Sequence, residues 1–140
     1  MRAELHRRID AIEAAYEFLL AYAAQGLSTD QGAKSGSELR EQLASFAGAV
    51  DGLAEVFRGL AAEEEGGDVL LGYLDVLERD QRSTLSALEL VRSRPALSSQ
   101  LIDNLNASIH VRALLTDLFL LDELLELGVA LPAEGELPAS

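Results

Sequence analysis

Residues 103–112, DNLNASIHVR, place Asn104, Asn106, Ser108, His110 and Arg112 inside what is otherwise the most apolar helical segment of the chain. How that segment arranges itself decides the fold. At about 100° per residue, alternate positions of a helix cannot share one face. With Asn104 at zero, Ser108 and Arg112 fall near roughly 40° and 80°, while Asn106 and His110 fall near roughly 200° and 240°. The stretch therefore holds two groups. Asp103, Asn106, His110 and Asp117 share an arc expected to face solvent. Asn104, Ser108 and Arg112 lie beside Leu101, Leu105 and Phe119 and are expected to be partly buried.

The apolar face also moves along this segment. Leu101, Ile102, Leu105 and Ile109 cover one arc; Val111, Leu114, Leu115, Leu118, Phe119, Leu121 and Leu125 cover another. One core cannot satisfy both arcs with a straight helix, and a helix that is apolar nearly all round needs a second contact surface. The reading preferred from sequence is a self-association surface on Leu114, Leu118, Leu121 and Leu125. The other is a bend near Ile109 that returns both arcs to a single core. Under the first, Asn104, Ser108 and Arg112 form a polar register lock, as Asn does at coiled-coil core positions. A ligand site at the same three residues, with Tyr73, is the sharper alternative.

Composition supports an all-helical chain around this segment. The sequence has 140 residues, a single-domain length, of which 49% are hydrophobic. Its mean hydropathy is +0.12. Leu occurs 28 times, against seven Val and four Ile. Ala and Leu head the helix scale, whereas strands favour β-branched and aromatic residues.

Four segments are predicted, over residues 3–25, 37–62, 68–93 and 98–127. In the first, Leu5, Ile9, Ile12, Tyr16, Leu19 and Ala23 alternate steps of four and three. In the second, Leu39, Leu43, Phe46, Val50, Leu53, Phe57 and Leu60 do the same, with Ser37 as the expected N-cap. Asp68 is the expected cap of the third, whose Leu70, Leu74, Leu77, Leu85, Leu88 and Val91 point inward. Pro95 ends it, and Ser98 or Ser99 caps the fourth. Segments of this length joined by short breaks predict an antiparallel, up-down-up-down four-helix bundle over residues 1–127, expected to be dimeric. Residues 128–140 are expected to form a flexible tail. The first connection, GLSTDQGAKSGS, is expected to be the most mobile.

Several chemistries are excluded by residue type. A net charge of −13 argues against nucleic acid, whose phosphates need clustered Lys and Arg, and against anionic membrane surfaces. The absence of Cys removes disulfides, thiolate nucleophiles and thiolate metal sites. Di-iron bundles need Glu-x-x-His on two helices; the chain has none, and only His6 and His110. No metal or cofactor is expected. The stripe His6, Asp10, Glu13 and Glu17 reads as a solvated face. Gly32-Ala33-Lys34-Ser35 lacks the glycine spacing and preceding strand of a phosphate loop. The N-terminus is charged throughout, unlike a signal peptide, and no apolar run reaches the roughly 20 residues of a spanning helix. A cytoplasmic protein is expected.

Two further features remain. Ala44, Gly48, Gly52 and Gly59 line the back of the second segment, and each interior Gly costs about 1 kcal/mol relative to Ala. A docking groove at Gly48 and Gly52 is one reading; tolerated surface glycines are the other. Arg79, Arg82, Arg92 and Arg94 concentrate positive charge and are expected to pair with carboxylates, an anionic ligand being the alternative. The resulting expectation is a non-catalytic acidic bundle that acts through protein–protein contact as an adaptor, regulator or assembly factor. It self-associates through the fourth helix and has a protein partner. The alternative is a small-molecule or metal binder with the ligand in the bundle interior.

Overall fold

The computed structural model describes residues 2–130, with side chains through residue 125, and these residues are all-α, with no strand among them. The four predicted segments are present, but three are split. The helices are α1 (Arg2–Ala23), α2 (Gly36–Val50), α3 (Leu53–Glu63), α4 (Gly67–Gly72), α5 (Leu74–Arg92), α6 (Ser99–Ala107) and α7 (Ile109–Ala130). The predicted tail begins inside α7, and its residues 131–140 lie outside the described residues. Among the described residues, no helix is long and apolar enough to cross a membrane.

Each split has a local cause. Between α2 and α3, Gly52 takes φ +82°, a left-handed conformation that side chains disfavour. The carbonyls freed at the end of α2 are gathered by Arg8 of α1, whose Nη1 donates to the carbonyls of Ala49 (3.1 Å) and Asp51. The opening N–H of α3 is met from α5: Ala54 N donates to the buried Gln81 Oε1 at 2.7 Å. At Tyr73 the interruption is slight, a tightened turn in which Tyr73 N donates to the Leu70 carbonyl (3.0 Å).

The third split falls within DNLNASIHVR. Ser108 sits at φ −63°, ψ 145°, extended rather than helical. Its N–H donates to the Leu105 carbonyl (3.1 Å), and its Oγ accepts from Val111 N (3.3 Å). One residue thus closes α6 and opens α7, the use for which a serine hydroxyl is suited. The fourth segment is bent, and most of both apolar arcs returns to one core, with Ile109 and Phe119 left exposed.

That core gathers Leu5, Ile12 and Leu19 of α1, Leu39, Leu43 and Phe46 of α2, Leu53 and Phe57 of α3, Leu77 and Leu88 of α5, and Ile102 of α6, all buried. The heptad positions read from sequence in the second segment are buried throughout. Helix α1 packs on α2, α3 and α6; α5 packs on α2, α3, α6 and α7.

Three local expectations need correction. Ser37 does not cap α2, which starts a residue earlier at Gly36, where a Cβ would collide with the Asp30 carbonyl. Asp68 lies within the first turn of α4, preceded by Gly66 at φ +78°. The Gly- and Ser-rich first connection is fastened rather than loose. Asp30 is buried within it; its Oδ1 accepts from Leu97 N (2.7 Å) and its Oδ2 from Arg40 Nε (2.8 Å). Burial by itself would raise the Asp30 pKa, but the Arg40 and Leu97 hydrogen bonds outweigh it and hold the carboxyl below its ordinary value. Tyr22 adds a hydrogen bond from its hydroxyl to the Leu97 carbonyl (2.7 Å), and Ser99 N donates to the Leu27 carbonyl (2.8 Å).

Candidate functional site

The least ordinary chemistry of the chain lies along the seam between α5 and α7. Tyr73 and Asp80 are seven residues apart, so they share the face of α5 that meets α7. Opposite them stands Asp117, which is only 3% exposed. The Tyr73 hydroxyl donates to Asp117 Oδ1 at 2.7 Å, while Oδ2 is buried without a partner. Burial, and then the Asp80 carboxyl beside it, push the Asp117 pKa up to about 7 against the opposing effect of the Tyr73 hydrogen bond. Tyr73 is pushed up to about 12, first by that hydrogen bond and then by burial. The fold favours the protonated form of Asp117, because ionising it would set a negative charge beside Asp80 in a poorly solvated site.

Sequence reading had placed Asp117 on a solvent arc, and Asn106 with it. Both are buried. The error came from drawing the solvent arc too wide, since each residue stands about 40° from the apolar arc of its own helix. Read from Leu114 and Leu121, three residues before and four after, Asp117 falls on the buried stripe; read from Ile102, four residues before, so does Asn106. Asn106 is 5% exposed, and neither of its amide atoms has a partner. Asp103 and His110 are exposed, as the arc required.

The polar lock is not assembled. Asn104 is exposed and accepts from Gln100 Nε2 (3.1 Å), Arg112 is exposed, and Ser108 is engaged in capping. The ligand reading of the same residues loses them for the same reason, and Tyr73 is committed to Asp117. The four leucines offered as an interface, Leu114, Leu118, Leu121 and Leu125, are buried in the chain's own core. The exposed large side chains of α7 are others: Phe119 (54%), Leu120 (48%) and Leu124 (52%), with Ile109 at its start. On a helical wheel the buried positions of α7 span roughly 160° to 320° from Phe119, and these exposed ones lie in the remaining arc.

Of the glycine pair, Gly52 serves the turn between α2 and α3. Gly48 is exposed, with nothing within 4 Å of an added Cβ. Gly48 and Ala44 line a shallow cleft of about 460 Å³ between α2 and α5, floored by Leu85 and edged by Glu89 and Arg92. The stripe on α1 is less solvated than expected: His6 Nε2 lies 3.7 Å from Asp122 of α7. Glu13 is raised above its ordinary pKa by burial and then by Asp10, Asp122 and Glu17. Among the described residues, no group of His and carboxylates is arranged to hold a metal ion.

The arginines do not pair as expected. Arg79 reaches only the adjacent Asp80, at 3.9 Å, and Arg82, Arg92 and Arg94 form no ion pair among the described residues. Instead the carbonyls of Arg94 and Pro95 accept from Arg40.

No known family, curated protein or solved structure matches the chain. Its function must be argued from the geometry above.

Proposed function

We propose that this chain is a non-catalytic, cytoplasmic adaptor or assembly protein: an antiparallel four-rod helical bundle that pairs with a second copy of itself through the outer face of α7. The bundle reading draws on the pairing of helices, with α1, α2–α3, α4–α5 and α6–α7 as the rods. The observation that carries the interaction reading is the surface row Phe119, Leu120 and Leu124, each about half exposed on a helix whose opposite face is fully packed. Contiguous exposed apolar side chains on one helix mark a contact surface more often than isolated ones do.

A second copy fits this row by charge. Exposed Arg112 lies on its N-terminal side and exposed Glu123 within its C-terminal half, beside Leu124. Antiparallel apposition of two α7 helices sets each Arg112 toward the other copy's Glu123, while parallel apposition would oppose like charges. A two-fold pair needs such a self-complementary patch. The patch is small, so association belongs to the transient class. It also works against the repulsion of two strongly acidic subunits, so added salt strengthens it. Asp117 has the pKa of a general base, but it is sealed from solvent, which favours a structural over a catalytic role.

Sedimentation velocity on the full chain over a concentration series tests the proposal. The expected result is a concentration-dependent monomer–dimer equilibrium that tightens with salt and is abolished in Leu120→Glu/Leu124→Glu. A wild-type chain that stays monomeric up to millimolar concentration, or a double variant that still dimerises, refutes it.

A further inference from the structure

We propose a small-molecule site distinct from that surface: the cleft between α5 and the first turn of α7 binds a small organic oxyanion, a carboxylate or phosphate head group on a short apolar body. Two open depressions of about 540 and 400 Å³ adjoin here, with Ser83 and His110 lining both. Both face solvent, so a bound molecule would stay partly exposed.

Four features of the cleft select an anion. First, Arg82 lines it and forms no ion pair among the described residues, although the chain is strongly acidic and carboxylates are plentiful. Second, Ser83 and Ser86 line it beside Arg82 on α5, and neither hydroxyl is hydrogen-bonded among the described residues. Third, α7 starts at the cleft, and the N–H groups of Ile109 and His110 have no backbone acceptor. Ser108 meets the next two, with its hydroxyl for Val111 and its carbonyl for Arg112. Free first-turn N–H groups and the positive end of a long helix favour an oxyanion. Fourth, the His110 side chain lines both openings and supplies a further polar contact.

The single carboxylate of the cleft, Asp80, stands at one end with Arg79 at 3.9 Å, so the Arg82 end keeps its positive character. Ala87 and the largely exposed Leu90 beside Arg82, and the largely exposed Ile109 with Ala113 beside His110, form an open apolar rim. A bare inorganic anion would leave this rim empty. A head group with a short alkyl body would use both parts.

Amide-resolved NMR titration of the full chain with inorganic phosphate, hexanoate and hexyl phosphate tests this. The expected result is saturable shifts confined to residues 82–90 and 108–113. Hexyl phosphate should bind at least tenfold more tightly than inorganic phosphate, and Arg82→Glu should weaken it at least tenfold. Arg82 is exposed, so the variant keeps its fold, which circular dichroism verifies. Failure of all three probes to saturate, shifts located elsewhere, or an Arg82→Glu variant that binds like wild type would overturn the assignment. Equal affinity for inorganic and hexyl phosphate would overturn the apolar half of it. The inference does not rest on self-association: Leu120→Glu/Leu124→Glu should bind hexyl phosphate as wild type does.

Discussion

Replacing Asp117 by Asn should stabilise this protein at neutral and alkaline pH and leave it nearly unchanged near pH 4. Asn is isosteric, its carbonyl still accepts from Tyr73, and its amide can donate to Asp80 where two carboxylates now face each other. The folded-state pKa of Asp117 is pushed up to about 7 from an ordinary value of 3.8. A raised carboxyl pKa means that the fold favours the protonated form. Below pH 3.8 the group is neutral folded or unfolded and exerts no effect. Between 3.8 and 7 the unfolded chain releases its proton while the folded chain retains it, and stability erodes by about 1.4 kcal/mol per pH unit. Above 7 the erosion is complete. The interval corresponds to a ceiling of about 4 kcal/mol, which relaxation of the seam and water entry will reduce; a gap of at least about 1 kcal/mol is expected at pH 8. Urea unfolding followed at 222 nm from pH 4 to 8.5, on wild type and Asp117→Asn in parallel, measures it. Asp30, whose pKa is depressed, loses its stabilising effect as pH falls through that lowered value, but it is common to both proteins and cancels in the difference. A gap that does not grow with pH, or an Asn variant less stable than wild type at pH 8, would refute the reading of Asp117 as a buried acid.

Two other predictions concern packing. Asn106→Leu should raise stability by about 1–3 kcal/mol, because an amide buried without partners carries its desolvation penalty unrelieved; a lower urea midpoint than wild type would show that the amide is satisfied in solution. The two glycines of the second rod should respond in opposite directions. Gly48→Ala should stabilise by up to about 1 kcal/mol, since it stands in open space on a helix. Gly52→Ala should destabilise by about 1–2 kcal/mol, because its φ of +82° suits only glycine. Thermal melts of the two variants settle the pair, and a common sign for both would overturn the reading.

The helical class and most of the core were legible because apolar spacing reports burial directly: Leu39 through Leu60 and Leu70 through Val91 point inward as their periodicity required, apart from the half-buried Leu70 and Leu85. The breaks were less legible. Gly52 was read as part of a stripe of small residues, yet its decisive property is a backbone angle, and the clamp on that turn comes from Arg8, 44 positions earlier in the chain. Ser108 was read as a surplus polar group when it is the point where the helix changes phase. Missing that phase change left the four leucines without a core of their own, while Asp117 and Asn106 were lost to a solvent arc drawn too wide. The buried carboxyl pair depends on two residues 37 positions apart meeting across a seam, and nothing in their local sequence marks them. The cleft beside it was half visible, because the unusual concentration of arginines on α5 was noted while its lack of ion-pair partners was not.

A protein engineer seeking a place to cut this chain, graft a tag or splice in another domain would choose the crossing from α1 to α2, with its run of glycine, serine and threonine. That choice would be a poor one. Through Asp30, Tyr22 and Ser99 the crossing is buttoned to the turn between α5 and α6, far along the chain, so an insertion there would open two corners of the molecule at once. Composition alone would call the segment a spacer; its hydrogen bonds make it a keystone.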